Sequence, residues 1–211
     1  MIIAISSRVT EAINYFEKRN SISFDTVKYF EHLGITVLLV PNNLNNIAAY
    51  LNKFLIQGVI LTGGNNINPD RYNSLENLTD VYLERDNTED ALFNFAISNK
   101  LPLLGICRGF HFINVQLGGG LVHNISGHVN KYHKLISEDI IYNNNEVNSF
   151  HNQGISVDKL SSELFCLAKS EDNIIEAYEN KEKKILGFQW HPERNYNEFD
   201  SNLIKSHFSL L

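Results

Sequence analysis

The sequence predicts an α/β domain built on a mostly parallel sheet with helices packed on both faces. Short, uninterrupted apolar runs at 2–5, 36–40, 58–61, 103–106, 174–178 and 185–188 read as strands buried on both sides. Segments of helical apolar spacing lie between the early runs, and that alternation is the mark of parallel sheets.

The elements follow in order. The first strand opens the chain. The stretch 24–33 sets Phe24, Val27, Phe30 and Leu33 three residues apart and stops at Gly34, a helix terminator. Residues 47–55 form the helical segment between the second and third strands. A helix over 89–99 puts Ala91, Leu92, Phe95 and Ala96 on one face and ends before Leu101-Pro102. From 131 to 182 the strands become shorter and more mixed. No internal repeat or Pro/Gly/Ser linker interrupts the chain, so 1–211 is expected to form one domain. Functional loops in such sheets lie at the carboxyl ends of the strands.

Composition narrows the function. A net charge of −6 and a pI near 5.7 argue against nucleic acid or an anionic membrane as the main partner, because both require a concentrated basic face. Lys181, Lys183 and Lys184 are interleaved with Glu179 and Glu182 and read as a solvated turn. No run approaches the ~20 apolar residues of a membrane span. The apolar start lacks a preceding basic region and reads as a strand rather than a signal peptide, so a cytoplasmic location is expected. Cys107 and Cys166 make neither a disulfide framework nor a metal spacing.

The most informative segment runs from Leu101 to Gly120. A buried strand enters Gly105-Ile106-Cys107-Arg108-Gly109, and a helix follows with Phe112, Ile113 and Gln116 at helical spacing. This is a strand–turn–helix elbow carrying cysteine in place of serine. Small residues flank the nucleophile because the turn is tight. The helix N-terminus favours the thiolate. Cys166 has no such setting and reads as a core residue. A thiol nucleophile needs a base, and the base needs a partner that holds its tautomer. Gln189-Trp190-His191-Pro192-Glu193 follows a strand and offers both, two residues apart.

Gly-Ile-Cys-Arg-Gly followed by Gln-Trp-His-Pro-Glu resembles the class I glutamine amidotransferase superfamily. Within it the chain is most similar to the γ-glutamyl hydrolase branch, peptidase family C26. The likeness extends over Ser6-Ser7-Arg8, the loop Leu61-Thr62-Gly63-Gly64-Asn65 with Pro69 and Tyr72 beyond it, Arg85-Asp86, Glu89 and Gly118-Gly119-Gly120. The resemblance implies a flavodoxin-like three-layer fold and a set of roles. Cys107 attacks a γ-glutamyl carbonyl, His191 moves protons, Glu193 orients His191, and the backbone N–H groups of Gly64 and Arg108 hold the oxyanion. Gly63, Asn65, His111, Ser149, Phe150 and His151 are the implied substrate-binding residues. His111 departs from the family, which carries Gln four residues after the nucleophile; it either takes over that contact or packs. Ser149-Phe150-His151 resembles the segment that receives the α-carboxylate, although a structural hydrogen bond is an equal role for His151.

The expected activity is hydrolysis of a small γ-glutamyl metabolite to glutamate through a thioester, with no cofactor. The alternative is a glutaminase subunit feeding ammonia to a separate synthetase. A binding module without activity is disfavoured because all three triad positions are filled. The spacings of five between His123, His128 and His133 fit no familiar ligand motif, and no metal is expected. Candidate leaving groups are a polyamine-derived amine, an amino acid or a nucleotide amidate. The compact chain is similar to C26 proteins that act on γ-glutamyl-CDP-amidate in capsule biosynthesis. Arg71 and Arg108 are the basic residues best placed by sequence to meet an anionic leaving group, with a structural role for Arg108 equally open.

Overall fold

The protein's structure, a computed structural model, describes residues 1–210. The first half contains β1 (Ile2–Ser6), β2 (Arg8–Glu11), β3 (Lys18–Ser21), α1 (Phe24–His32), β4 (Thr36–Val40), α2 (Ile47–Leu51), β5 (Ile56–Leu61) and α3 (Leu83–Ser98). The second half contains β6 (Leu103–Ile106), α4 (Arg108–Gln116), β7 (Val122–His123), β8 (Val129–Lys134), β9 (Glu146–Phe150), β10 (Gln153–Gly154), β11 (Phe165–Lys169), β12 (Ile175–Asn180), β13 (Ile185–Phe188) and α5 (Glu198–His207).

Seven strands form the central sheet in the order β11-β12-β13-β6-β5-β1-β4. The pairs from β13 to β4 are parallel, and β12 and β11 extend the sheet antiparallel. The fold is therefore a flavodoxin-like α/β arrangement with a mostly parallel sheet. Alternation along each strand splits the core into two layers. Ala4, Val59, Leu61 and Leu103 face Leu51, Leu92 and Ile113 on α2, α3 and α4. Ile3, Ile5, Ile60 and Leu104 face Tyr29 and Phe30 on α1 and Ile204 on α5.

The helix expected over 89–99 starts six residues earlier, at Leu83. Its first turns carry Glu84, Arg85 and Asp86, and an apolar-periodicity pattern misses them because Arg85 and Asp86 are buried through ion pairs rather than apolar contacts. The helix expected over 47–55 ends at Leu51, capped by Asn52, and the chain turns directly into β5. Helix α5 starts at an Asn197 cap whose side chain accepts from Asp200 N at 2.7 Å.

The carboxyl ends of β1, β5, β6 and β13 converge at one end of the sheet. The segments that leave them carry Arg8, Gly63, Cys107 and His191 respectively, all lining one cleft of ≈ 300 Å³.

Candidate active site

Cys107 occupies the single residue between β6 and α4, with φ 51° and ψ −102°. A non-glycine residue at positive φ costs about 1–3 kcal/mol and persists only where its surroundings enforce it. The surroundings here are explicit. Cys107 N donates to Phe188 O at 2.8 Å and His111 N donates to Cys107 O at 3.1 Å, which ties the turn to β13 and to its own helix. The turn also lies flat on the end of β5. A Cβ added at Gly109 would stand 2.0 Å from the Leu61 carbonyl oxygen, so only glycine allows this approach. The half-buried thiol is left at the start of α4, whose opening N–H groups have no intrahelical partner.

His191 follows β13. Its Nδ1–H donates to Glu193 Oε1 at 2.6 Å, which leaves Nε2 for the thiol side. The side chain of Asn148 on β9 clamps the His191 backbone, with His191 N donating to Asn148 Oδ1 at 3.0 Å and Asn148 Nδ2 donating to His191 O at 2.8 Å. Burial alone would lower the basicity of the ring. The charges of Cys107 and Glu193, with hydrogen bonds to both, outweigh burial and raise its pKa to about 10. A Cβ at Gly63 would come within 2.8 Å of His191 Cε1, so glycine lets the loop after β5 pack against the ring.

A buried charge network holds that loop against the elbow. The carboxylate of Glu89 on α3 accepts from Arg85 Nε at 3.0 Å and from Ser6 Oγ at 2.9 Å, and it pairs with Arg108. The other arm of Arg108 pairs with Asp86, which in turn accepts from Asn68 N at 3.1 Å. Arg85 donates to the carbonyls of Thr62 at 2.8 Å and Gly63 at 3.0 Å. Every charge in this set has an opposite partner, as burial requires. Its consequence is geometric: the Gly63-Gly64 loop and the first residue of α4 are braced from the same carboxylates.

The residues expected at the site divide into two groups. Gly63, Gly64, Cys107, His111, Phe150, His151, His191 and Glu193 line the cleft. Asn65 also borders it, but its amide is fully used: Oδ1 accepts from Val9 N at 2.8 Å and Arg85 at 3.0 Å, and Nδ2 donates to Val9 O at 3.0 Å and Asp80 at 2.8 Å. It braces the loop and has nothing left for a ligand. Ser149 is fully buried and donates to His128 O at 2.6 Å, so the hydroxyl stays out of the cleft. His111 Nε2–H donates to Gln189 Oε1 at 2.6 Å, and burial lowers its pKa to about 4, so the ring is neutral.

For Arg108 the structural alternative holds, and for Arg71 the expectation is corrected. The Arg108 side chain is consumed by Glu89 and Asp86, and Arg71 pairs with Asp90 and donates to Gln116 Oε1 at 2.8 Å. Neither guanidinium is free to meet a leaving group. Arg108 still borders the cleft, and the exposed Arg8 and Arg194 line it as well, with Arg194 lying 4.4 Å over the Phe150 ring. Asn148 and Arg194 were not expected at the site, although each adjoins a segment that was. The three histidines considered as a metal set also separate. His123 stacks on Tyr72, whereas His128 and His133 meet His151 and Glu176 behind the cleft wall.

Among known proteins, residues 1–193 match the family described as Peptidase C26. The chain is 31% identical to the γ-glutamyl-CDP-amidate hydrolase of Campylobacter jejuni, covering 100% of this chain and 99% of that one. It is 30% identical to one subunit of the glutamine-hydrolysing GMP synthase of Methanococcus vannielii, over 83% of this chain and 84% of the relative. A crystal structure of a glutamine amidotransferase from Thermotoga maritima superimposes with a TM-score of 0.60 at 14% identity, covering 100% of this chain and 83% of that one. At that identity the superposition speaks for the fold alone.

Proposed function

Because the chain belongs to the peptidase C26 family, we propose that it hydrolyses the γ-glutamyl amide bond of a small metabolite, with Cys107, His191 and Glu193 as its triad. One observation carries this proposal: a thiol on a strained elbow faces a histidine whose far nitrogen is fixed by a buried carboxylate at 2.6 Å.

In this mechanism the Cys107 thiolate attacks the γ-carbonyl carbon. The oxyanion that forms accepts from the backbone N–H groups of Gly64 and Arg108. His191, carrying the proton taken from the thiol, gives it to the departing amine nitrogen, and the C–N bond breaks to leave a γ-glutamyl thioester. His191 then takes a proton from water as the water oxygen attacks the thioester carbon. Collapse releases glutamate and returns the proton to sulfur. Glu193 holds the ring in the required tautomer and stabilises the imidazolium in both halves.

Arg8 and Arg194 give the cleft a cationic rim that suits a phosphate-bearing leaving group, in keeping with the Campylobacter relative's named substrate. The purified chain alone is expected to release glutamate from γ-glutamyl amides. It should prefer phosphate-bearing leaving groups to neutral or cationic ones, and Arg8→Ala or Arg194→Ala should raise KM for the phosphate-bearing substrate roughly tenfold. Equal KM changes for neutral and anionic substrates would remove the rim from the account. The likeness to a GMP synthase component favours a second reading, a glutaminase subunit. Rapid glutamine hydrolysis appearing only after a synthetase is added would select it.

A further inference from the structure

Behind the cleft wall, three histidines turn toward one buried carboxylate. Glu176 on β12 is fully buried, and neither of its oxygens has a hydrogen-bond partner among the described residues. Its Oε1 lies 3.2 Å from His133 Nε2, 3.7 Å from His128 Nδ1 and 3.8 Å from His151 Nε2. Each of these nitrogens is itself buried and unpartnered among the described residues. The His133 contact has the length of a hydrogen bond but not its alignment. One ligating atom from each of His128, His151 and Glu176 lies within 4.8 Å of the other two.

A carboxylate taken out of water with both oxygens unpaired is strongly unfavourable, and orphaned lone pairs converging on one point are relieved by a proton or, with every lone pair used at once, by a metal cation between them. The distances fit one. Metal–ligand bonds of about 2.0–2.2 Å in a tetrahedron give edges of about 3.4 Å between ligating atoms, and the three separations from Glu176 Oε1 bracket that length. The far sides of two rings are arranged as metal-bound histidines require. His128 Nε2–H donates to Asp172 Oδ2 at 3.0 Å, and His151 Nδ1–H donates to the Gln153 carbonyl at 2.8 Å. Each of these bonds fixes the tautomer whose lone pair points inward.

We propose that His128, His151 and Glu176 bind a divalent transition metal, zinc the best match, and that His133, whose Nε2 is 3.2 Å from Glu176 Oε1 but outside the 4.8 Å set, turns in as the fourth ligand. Three imidazoles and one carboxylate suit zinc, whereas calcium and magnesium need more oxygen ligands. Four protein ligands make a closed, structural site. The ion ties the β8–β9 hairpin and the segment after β9 to β12 in the central sheet. His151 also lines the cleft, so the ion fixes one wall of the active site without meeting the substrate. The four ligands are spread from 128 to 176 in the chain, which is why the spacing of the histidines conceals them.

The test uses the full chain carrying Cys107→Ala, so that the Cys107–His191 pair cannot hold the added metal. After chelator treatment the protein is titrated with zinc and, separately, with cobalt(II). The expected result is about one equivalent bound, a visible d–d band of tetrahedral cobalt, and a melting temperature that rises with zinc. Glu176→Gln and His133→Ala should each weaken zinc binding about 100-fold or more, and Asp172→Asn about tenfold, as loss of an outer partner does. Absence of a tetrahedral cobalt band and of any zinc-dependent melting shift in the folded parent would overturn the site. Stoichiometric binding that survives both ligand substitutions would overturn it as well. Should a ligand variant fail to fold, the parent's own titration still decides.

Discussion

Replacing Cys107 with alanine is expected to reduce glutamate release on the order of 10⁶-fold, to background, while leaving the thermal melting curve essentially unchanged. The size of the loss follows from the proposed covalent route. Without sulfur no thioester forms, and the oxyanion donors and binding cleft alone supply only a small residual rate. The fold should survive because alanine meets the same positive-φ strain that cysteine already bears, and the half-buried thiol contributes little packing. A variant that keeps a tenth of the wild-type rate would require a different nucleophile.

The next largest effect is expected at His191, and it should exceed the effect at Glu193. In the proposed mechanism His191→Ala removes the group that moves every proton in both half-reactions, and a loss on the order of 10⁵-fold or more is expected. Glu193→Gln keeps a hydrogen-bond acceptor for Nδ1–H and should cost about 10- to 100-fold less than that. A second readout separates orienting from mere packing. Burial lowers the His191 pKa, and the charges of Cys107 and Glu193 together lift it to about 10. Removing the Glu193 charge takes away one of the contributions that raise it, which also include hydrogen bonds to both partners, so the alkaline limb of the rate profile should move to lower pH in Glu193→Gln. Small, equal losses in both variants would point to another base. His151 is poorly suited to that role, because burial lowers its pKa to about 2 and its Nδ1–H is committed to the Gln153 carbonyl.

The parallel sheet was legible because its strands are short apolar runs separated by helices, a pattern that needs no tertiary information. The elbow was legible for a similar reason: strand, Gly-x-Cys-x-Gly and helix are contiguous, so one window contains the whole signal. His191 and Glu193 share a window of their own, and the structure brings it to the elbow across the β6–β13 pairing. Contacts between distant segments left no such local trace. Helix α3 begins early because Arg85, Asp86 and Glu89 are buried as partners of Arg108 and the Thr62–Asn65 loop, and polar residues in the sequence read as surface. The same network explains why Arg108, placed by sequence beside the nucleophile, has its guanidinium tied to α3 rather than free for a ligand. Arg8 and Arg194 lie far apart in the chain and meet the cleft only once β1 and β13 are neighbours of the strands between them.

Selective alkylation separates a nucleophilic Cys107 from a bystander. Limited iodoacetamide at neutral pH, followed by peptide mapping and assay of the same samples, should label Cys107 well before Cys166, with activity falling in step with Cys107 modification. The physical contrast is clear. Cys107 opens onto the cleft beside His191 and a helix N-terminus, whereas burial raises the pKa of Cys166, whose sulfur lies 3.7 Å from the Ala168 carbonyl on β11. Preferential labelling of Cys166, or full labelling of Cys107 with activity intact, would contradict the account.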